Sequence, residues 1–361
     1  KFSRAVCQFL SAAEYDVIHC NDWQTGYVPL MLKQDKIKIG SVFAIHNIEF
    51  QGLSTPDVLD QAGIDRSHFH MEGVEFYGKA SSLKAGIVYS DRLVTVSPRY
   101  AAEITTSEFG AGMEGIIKKH SIKLSGILNG IDYDVWNPVR DTEIYSNYSH
   151  FERSGKTRCK SALLHEFSLP QSSRPLFAFV GRIERQKGVD ILIEVLDGMG
   201  NEWFAVILGT GDAQLVRKLN SIATSRGNVR FVNRFDEKLA HRIYAGADIL
   251  VMPSRYEPCG LGQMIAMRYG TVPVVREVGG LADTVSEFDG EDGTGFLFRT
   301  LSKEELKNAM QKAAETMKQK EKWNRVVKNC MMRDFSWEKS AREYISLYEE
   351  LSREVKAAGA T

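Results

Sequence analysis

Residues Asp248 to Asp283 constrain the fold more than any other stretch. The apolar run Ile249-Leu250-Val251-Met252 stops at Pro253, and a short apolar run with such a boundary reads as a buried strand. A polar turn from Ser254 to Pro258 carries Glu257. Leu261, Met264, Ile265 and Arg268 then recur at helical spacing, which predicts a helix from about Gly260 to Tyr269. A second apolar strand, Thr271 to Val275, leads to the pair Gly279-Gly280 and another helix start. Two strand–turn–helix units in tandem call for parallel strands with helices on their faces. In open sheets of that kind, ligands bind beyond the carboxyl ends of the strands.

The same unit recurs along the chain. Phe2 to Ala13 has a helical apolar face, Asp16 to Cys20 reads as a strand, and Trp23 to Lys33 as a helix. Ser41 to Ile45 and Arg92 to Val96 are further strands; Lys79 opens a helix, and Pro98 opens another at its favoured first position. Gly126 to Asp132 is a strand entering a turn. Trp136 to Ser154 is polar, lacks apolar periodicity and reads as a linker. Beyond it, Leu176 to Val180, Phe204 to Leu208, Val229 to Asn233 and Gly295 to Arg299 are strands. Helices are predicted after Gly188, from Ser302 to Lys318, from Trp323 to Met332 and from Phe335 onward, with Val355 to Thr361 frayed. The fold class is therefore α/β with two doubly wound domains. Their expected bounds are 1–140, 141–336 and a last helix, 337–361.

Composition excludes several classes of function. Lys plus Arg equals Asp plus Glu at 46 each, which argues against nucleic acid or a membrane surface as main partner. Five scattered cysteines lack metal-ligand spacing, so neither a metal cluster nor a disulfide scaffold is expected. No run approaches the length of a membrane helix, and no signal peptide is expected from the opening residues. Lys1 is not a methionine, so residues upstream are expected.

Several loops carry chemistry, each with a plainer alternative. Glu257 precedes a helix, where a carboxylate favours the helix dipole by about 0.3–1 kcal/mol; it also suits sugar hydroxyls. Arg182 and Lys187, on the glycine-flanked loop Gly181 to Gly188, are either solvated surface or diphosphate ligands. Asp22 is either an N-cap or a sugar ligand, and His46 either a satisfied loop histidine or an active-site group. Asn129-Gly130 is a turn signal, and Phe235 follows a strand where core aromatics are common. Two nucleotide motifs fail. Ser154-Gly155-Lys156-Thr157 lacks the glycine of a P-loop at His150, and Gly209-Thr210-Gly211 lacks the third glycine of a dinucleotide fingerprint at Gln214.

The segments PSRYEPCGLGQ and YGTVPVVREVGGLADTV resemble the donor-site signature of bacterial glycogen synthases and plant starch synthases, retaining glycosyltransferases of the GT-B fold. HCNDWQTGYVP, FAIHNIEFQG and the GR…QKG pattern at Gly181 to Gly188 resemble further segments of that family. The resemblance implies two Rossmann-like domains facing a cleft and transfer of glucose from ADP-glucose to the nonreducing end of an α-1,4-glucan, glycogen or starch, with retention. No cofactor is expected beside the donor, and with no metal-ligand cluster in the sequence, metal independence is expected. By the match, Asp22, His46 and Glu257 hold the transferred glucose, and Asn129 lies beside it. Arg182 and Lys187 bind the nucleotide phosphates, and Phe235 stacks on the base. Backbone at Cys259, Gly260 and Leu261 holds the sugar, while amides at Gly279, Gly280 and Leu281 take up the leaving charge. The setting implied is cytoplasmic for a bacterial protein and plastidic for a plant or algal one.

The family's opening Lys-x-Gly-Gly loop does not occur; the only adjacent glycine pair is Gly279-Gly280. The first domain is accordingly expected to be incomplete. Two alternatives stand beside the synthase reading. One is a related GT-B transferase with another acceptor, as in sucrose or trehalose synthesis; the other is a catalytically silent glucan- or nucleotide-binding subunit.

Overall fold

The computed structural model describes residues 1–12 and 14–359. The chain forms two compact units. One contains Lys1–Asn129 together with the chain from Glu338 onward, and the other is Gly130–Trp337.

In the first unit, strands β1 (Val17–Asn21), β2 (Gly40–Ile45), β6 (Arg92–Thr95) and β7 (Leu124–Gly126) form a parallel sheet in that order. The short strands β3 (Leu53–Ser54), β4 (Glu75–Phe76) and β5 (Lys79–Ser81) make a separate antiparallel sheet in the order β3-β5-β4. Lys79 therefore opens a strand, not the predicted helix. The helix starts at Ser82, where the Ser81 hydroxyl accepts the Lys84 N–H at 3.1 Å. That serine cap competes successfully with an earlier start. The predicted helix Trp23 to Lys33 is two helices, Asp22–Thr25 and Tyr27–Gln34. At their junction the Thr25 hydroxyl donates back to the carbonyls of Asn21 and Asp22, a bond type that bends helices.

The first helix spans Phe2–Ser11, and the predicted Ala13 lies outside the described residues. The last helix, Trp337–Gly359, continues through most of the tail predicted to fray; residues 360 and 361 lie outside the described residues. Only some of its apolar positions are buried. Tyr344, Leu347, Tyr348, Leu351 and Val355 pack on Val17, Val42, Val94 and Ile127 of the parallel sheet. Trp337 and Ile345 are about half exposed. The sheet selects the residues spaced three and four apart around Leu351, and the remaining apolar positions turn away.

The second unit holds a six-stranded parallel sheet. Its strands are β8 (Leu176–Val180), β9 (Phe204–Leu208), β10 (Val229–Val232), β11 (Ile249–Met252), β12 (Val272–Arg276) and β13 (Phe296–Phe298). Their order is β10-β9-β8-β11-β12-β13. The inner strands β9, β8 and β11 are buried almost throughout and read as unbroken apolar runs, whereas the edge strand β10 carries Arg230 and is mostly half-buried. After β10 the chain crosses back, and the sheet grows the other way from β11. The switch point lies between β8 and β11, where Ile249 pairs with Phe177. Helices Ala213–Ser225 and Glu237–Gly246 were not read from the sequence, although Asp212 and Asp236 cap them in the usual way.

The predicted linker is part of the second unit. It has no regular element, but Tyr148 is buried and donates to the Tyr269 carbonyl at 2.8 Å. Asp141 is buried as well. The units divide at Gly130, about ten residues before the expected 140. Polar composition suggested a solvated tether, whereas these polar groups find partners inside the fold. No helix of the described residues is long and apolar enough to cross a membrane.

Candidate active site

Three loops meet at the carboxyl ends of β8, β11 and β12. The first, after β8, is a short 3-10 turn at Arg185–Lys187 that ends on Gly188 in the left-handed region. A Cβ on Gly188 would lie 1.9 Å from the Pro253 carbonyl oxygen, so only glycine lets the first loop touch the second. Arg255 fixes the same junction. Its N–H donates to the Gln186 carbonyl at 2.8 Å, and its guanidinium grips both oxygens of Asp190 at 2.7 and 2.8 Å.

That packing delivers Lys187 to Glu257. The ammonium reaches both carboxylate oxygens, at 2.8 and 2.6 Å, and the Ser254 hydroxyl donates to Oε2 at 3.0 Å. Glu257 is 4% exposed. Arg182, half exposed, donates to the Gln186 side chain at 2.7 Å and pairs with Glu184. The third loop closes over the second. The Gly280 N–H donates to the Glu257 carbonyl at 3.0 Å, and a Cβ on Gly280 would lie 2.1 Å from the Cys259 carbonyl oxygen. Gly280 is glycine because two backbones pass there.

The amides divide differently from the prediction. Those of Gly280 and Leu281 are directed into the protein, to Glu257 and Val278. They are not free to meet a charged ligand, because the third loop uses them to hold the second. By contrast, the N–H groups of Gly260 and Leu261 meet no acceptor among the described residues. Gly260 is left-handed at φ 72 and Leu261 right-handed, an alternation that turns successive amides toward one point. The buried Gln263 amide ties this turn down by donating to the carbonyls of Cys259 and Gly260 and to Thr284.

Phe235 is 87% exposed and not a core residue. It lines a cavity of about 320 Å³ beside Arg182, at the ends of β8 and β9, within the size range of small-molecule sites. Trp136, Val180, Leu208 and Tyr244 line it too.

In the first unit the structure joins Asp22 to His46. Asp22 is not a cap; its carboxylate accepts the His46 N–H at 2.8 Å, linking the ends of β1 and β2. Asp22 sits at φ 56, in the left-handed region that aspartate tolerates better than most side chains. The His46 ring meets the Asn21 side-chain oxygen at 2.9 Å. Asn129, half-buried, follows β7 and makes no hydrogen bond to either among the described residues. Ser254, Gln186, Arg255 and Asp190 were not singled out in the sequence. Ser254 stands three residues before Glu257, a spacing that could have exposed it, but the Arg255–Asp190 pair spans 65 positions.

Residues 1–119 match the family described as starch synthase catalytic domain, and residues 162–329 match glycosyl transferases group 1. The glycogen synthase of Fervidobacterium nodosum is 43% identical over 353 residues, covering 95% of this chain and 73% of that protein. The glycogen synthase of Petrotoga mobilis is 44% identical, over 92% of this chain and 71% of its own length. Among solved structures, the catalytic domain of starch synthase IV from Arabidopsis thaliana, bound to ADP and acarbose, superposes with a TM-score of 0.91 at 35% identity. The match covers 98% of this chain and 76% of that one. A sucrose-phosphate synthase from Thermosynechococcus elongatus shares the fold, with a TM-score of 0.64 at 21% identity over 97% of this chain and 77% of its own.

Proposed function

Because this chain belongs to the glycogen and starch synthase family, and is therefore a hexosyltransferase, we propose that it transfers glucose from ADP-glucose to the nonreducing end of an α-1,4-glucan, retaining the anomeric configuration. The observation that carries this reading is the Lys187–Glu257 pair at the switch point, beside the free amides of Gly260 and Leu261. The ADP and acarbose named for the Arabidopsis relative support the choice of a nucleotide donor and a glucan acceptor.

In this reading the nucleotide diphosphate lies against Arg182 and Lys187. Two donors of the Lys187 ammonium go to Glu257, which leaves the third for a phosphate oxygen. Glu257 holds that ammonium in place and keeps acceptor capacity for a sugar hydroxyl. The Gly260 and Leu261 amides contribute fixed dipoles toward the sugar diphosphate. The acceptor 4-hydroxyl oxygen bonds to the anomeric carbon on the face the diphosphate leaves. The bond from that carbon to the phosphate oxygen breaks, and the hydroxyl proton passes to the departing phosphate. Within the first unit, the His46 N–H holds the Asp22 carboxylate against the end of β2, where it keeps acceptor capacity for a sugar hydroxyl. No cofactor and no metal enter this scheme.

The test is incubation of the purified chain with radiolabelled ADP-glucose or UDP-glucose and glycogen. Label should enter the polymer, preferentially from ADP-glucose, and β-amylase should release it as maltose. No incorporation from either donor would sink the proposal.

A further inference from the structure

We propose that Trp136 is a specificity-determining wall for the donor's nucleobase, and that His241 and Asp141 are the positioning residues that set its plane. This rests on the donor reading above and goes beyond it. A nucleotide with its diphosphate at Arg182 has its base in the adjoining cavity of about 320 Å³, where Trp136 and Phe235 are both wall residues.

Trp136 is held as a flat plate. Its ring stacks on His241 with centroids 4.0 Å apart and planes 13° apart. Tyr244 and Tyr269 meet it edge-on, at 5.7 and 6.4 Å. His241 is buried and cannot turn, because its Nδ1 lies 2.6 Å from Asp141 Oδ2. The Tyr269 hydroxyl donates to that same oxygen, and Asp141 Oδ1 accepts the Glu143 N–H at 2.8 Å. The carboxylate thus locks the imidazole, and the imidazole backs the indole. A rigid aromatic plane discriminates by overlap, and a two-ring purine offers more surface than a one-ring pyrimidine. The segment that holds Trp136 and Asp141 has no regular secondary structure to fix it, so these contacts fix it instead.

The experiment measures ADP and UDP dissociation constants by calorimetry, together with donor KM and kcat, for the wild type, Trp136→Ala, Trp136→Phe and Asp141→Asn. Loss of a base–aromatic contact should weaken ADP about 10-fold in Trp136→Ala. UDP should change by less than about 2-fold, and the ADP-glucose loss should show in KM more than in kcat, since the base is remote from the reacting carbon. Trp136→Phe should recover part of the preference, and Asp141→Asn should shift it in the same direction as Trp136→Ala. Equal weakening of ADP and UDP, or an unchanged ratio alongside a lowered melting temperature, would reduce Trp136 to a packing residue and overturn the inference. A wild type that binds neither nucleotide would instead remove the donor reading, and this inference with it.

Discussion

The Lys187 ammonium bridges both carboxylate oxygens of Glu257, at 2.8 and 2.6 Å, across 70 positions of sequence. The side chains are 19% and 6% exposed. Removing one partner leaves the other charge uncompensated, so Lys187→Met and Glu257→Gln should each lose about 3 kcal/mol of stability. The double variant should lose less than the sum, because neither charge is then stranded. Urea unfolding of the three variants measures this coupling, and strict additivity would contradict it. Turnover should fall about 100-fold or more in either single variant, if the pair also meets the leaving diphosphate.

Gly280→Ala should part the second and third loops. The new methyl would sit 2.1 Å from the Cys259 carbonyl oxygen and 2.4 Å from its Cα. Backbone must then move, at a cost of about 1–3 kcal/mol. Thermal unfolding should show the loss, and donor KM should rise because Gly260 and Leu261 follow directly on Cys259. Wild-type stability and KM together would show that the loops separate freely.

Acid should weaken the first unit through His19. Burial is the main cause of its lowered pKa, and the nearby His46 adds to it, bringing the value to about 4. A histidine depressed on folding binds fewer protons native than unfolded. Its contribution is therefore full above about 6.5 and is lost as pH falls from there toward about 4. His120, also lowered to about 4, chiefly by burial, acts over the same window. Urea midpoints at pH 7.5 and 5 should fall less for His19→Gln than for the wild type. An equal fall in both would place the acid sensitivity elsewhere.

Leu351→Ala should cost about 2–5 kcal/mol, the usual penalty for emptying a well-packed leucine site. Leu351 is 1% exposed, and a Cβ on Gly40 would meet its Cγ at 2.7 Å. Ile345→Ala, on the outer side of the same helix, should change stability little. Denaturant unfolding distinguishes the two, and similar effects would mean that the buried face has been misassigned.

The parts of the fold that could be read in advance are those with local causes. Strands β8, β9 and β11 are continuous apolar runs, and Pro98 marks a helix start by its own chemistry. The candidate site was legible as single loops, each with its own glycine or charge. Their joining was not. Nothing around Lys187 announces Glu257, and nothing in Gly279-Gly280 says that its amide serves a carbonyl of another loop. The last helix shows the same limit. Its sequence offers apolar positions on more than one side, and only the shape of the sheet beneath decides which are covered. Asp141 and His241, 100 positions apart, gave no local signal.

The first unit is assembled from both ends of the chain, with all of Gly130–Trp337 inserted between them. On the ribosome, the patch around Val42, Val94 and Ile127 is made early, and its cover around Leu351 emerges only after the whole second unit. The inserted unit can mature as an uninterrupted stretch, while the outer one waits uncapped for its final helix. A nascent chain that has just released residue 337 from the ribosome would therefore carry a complete inner unit beside an outer one whose apolar patch still faces solvent.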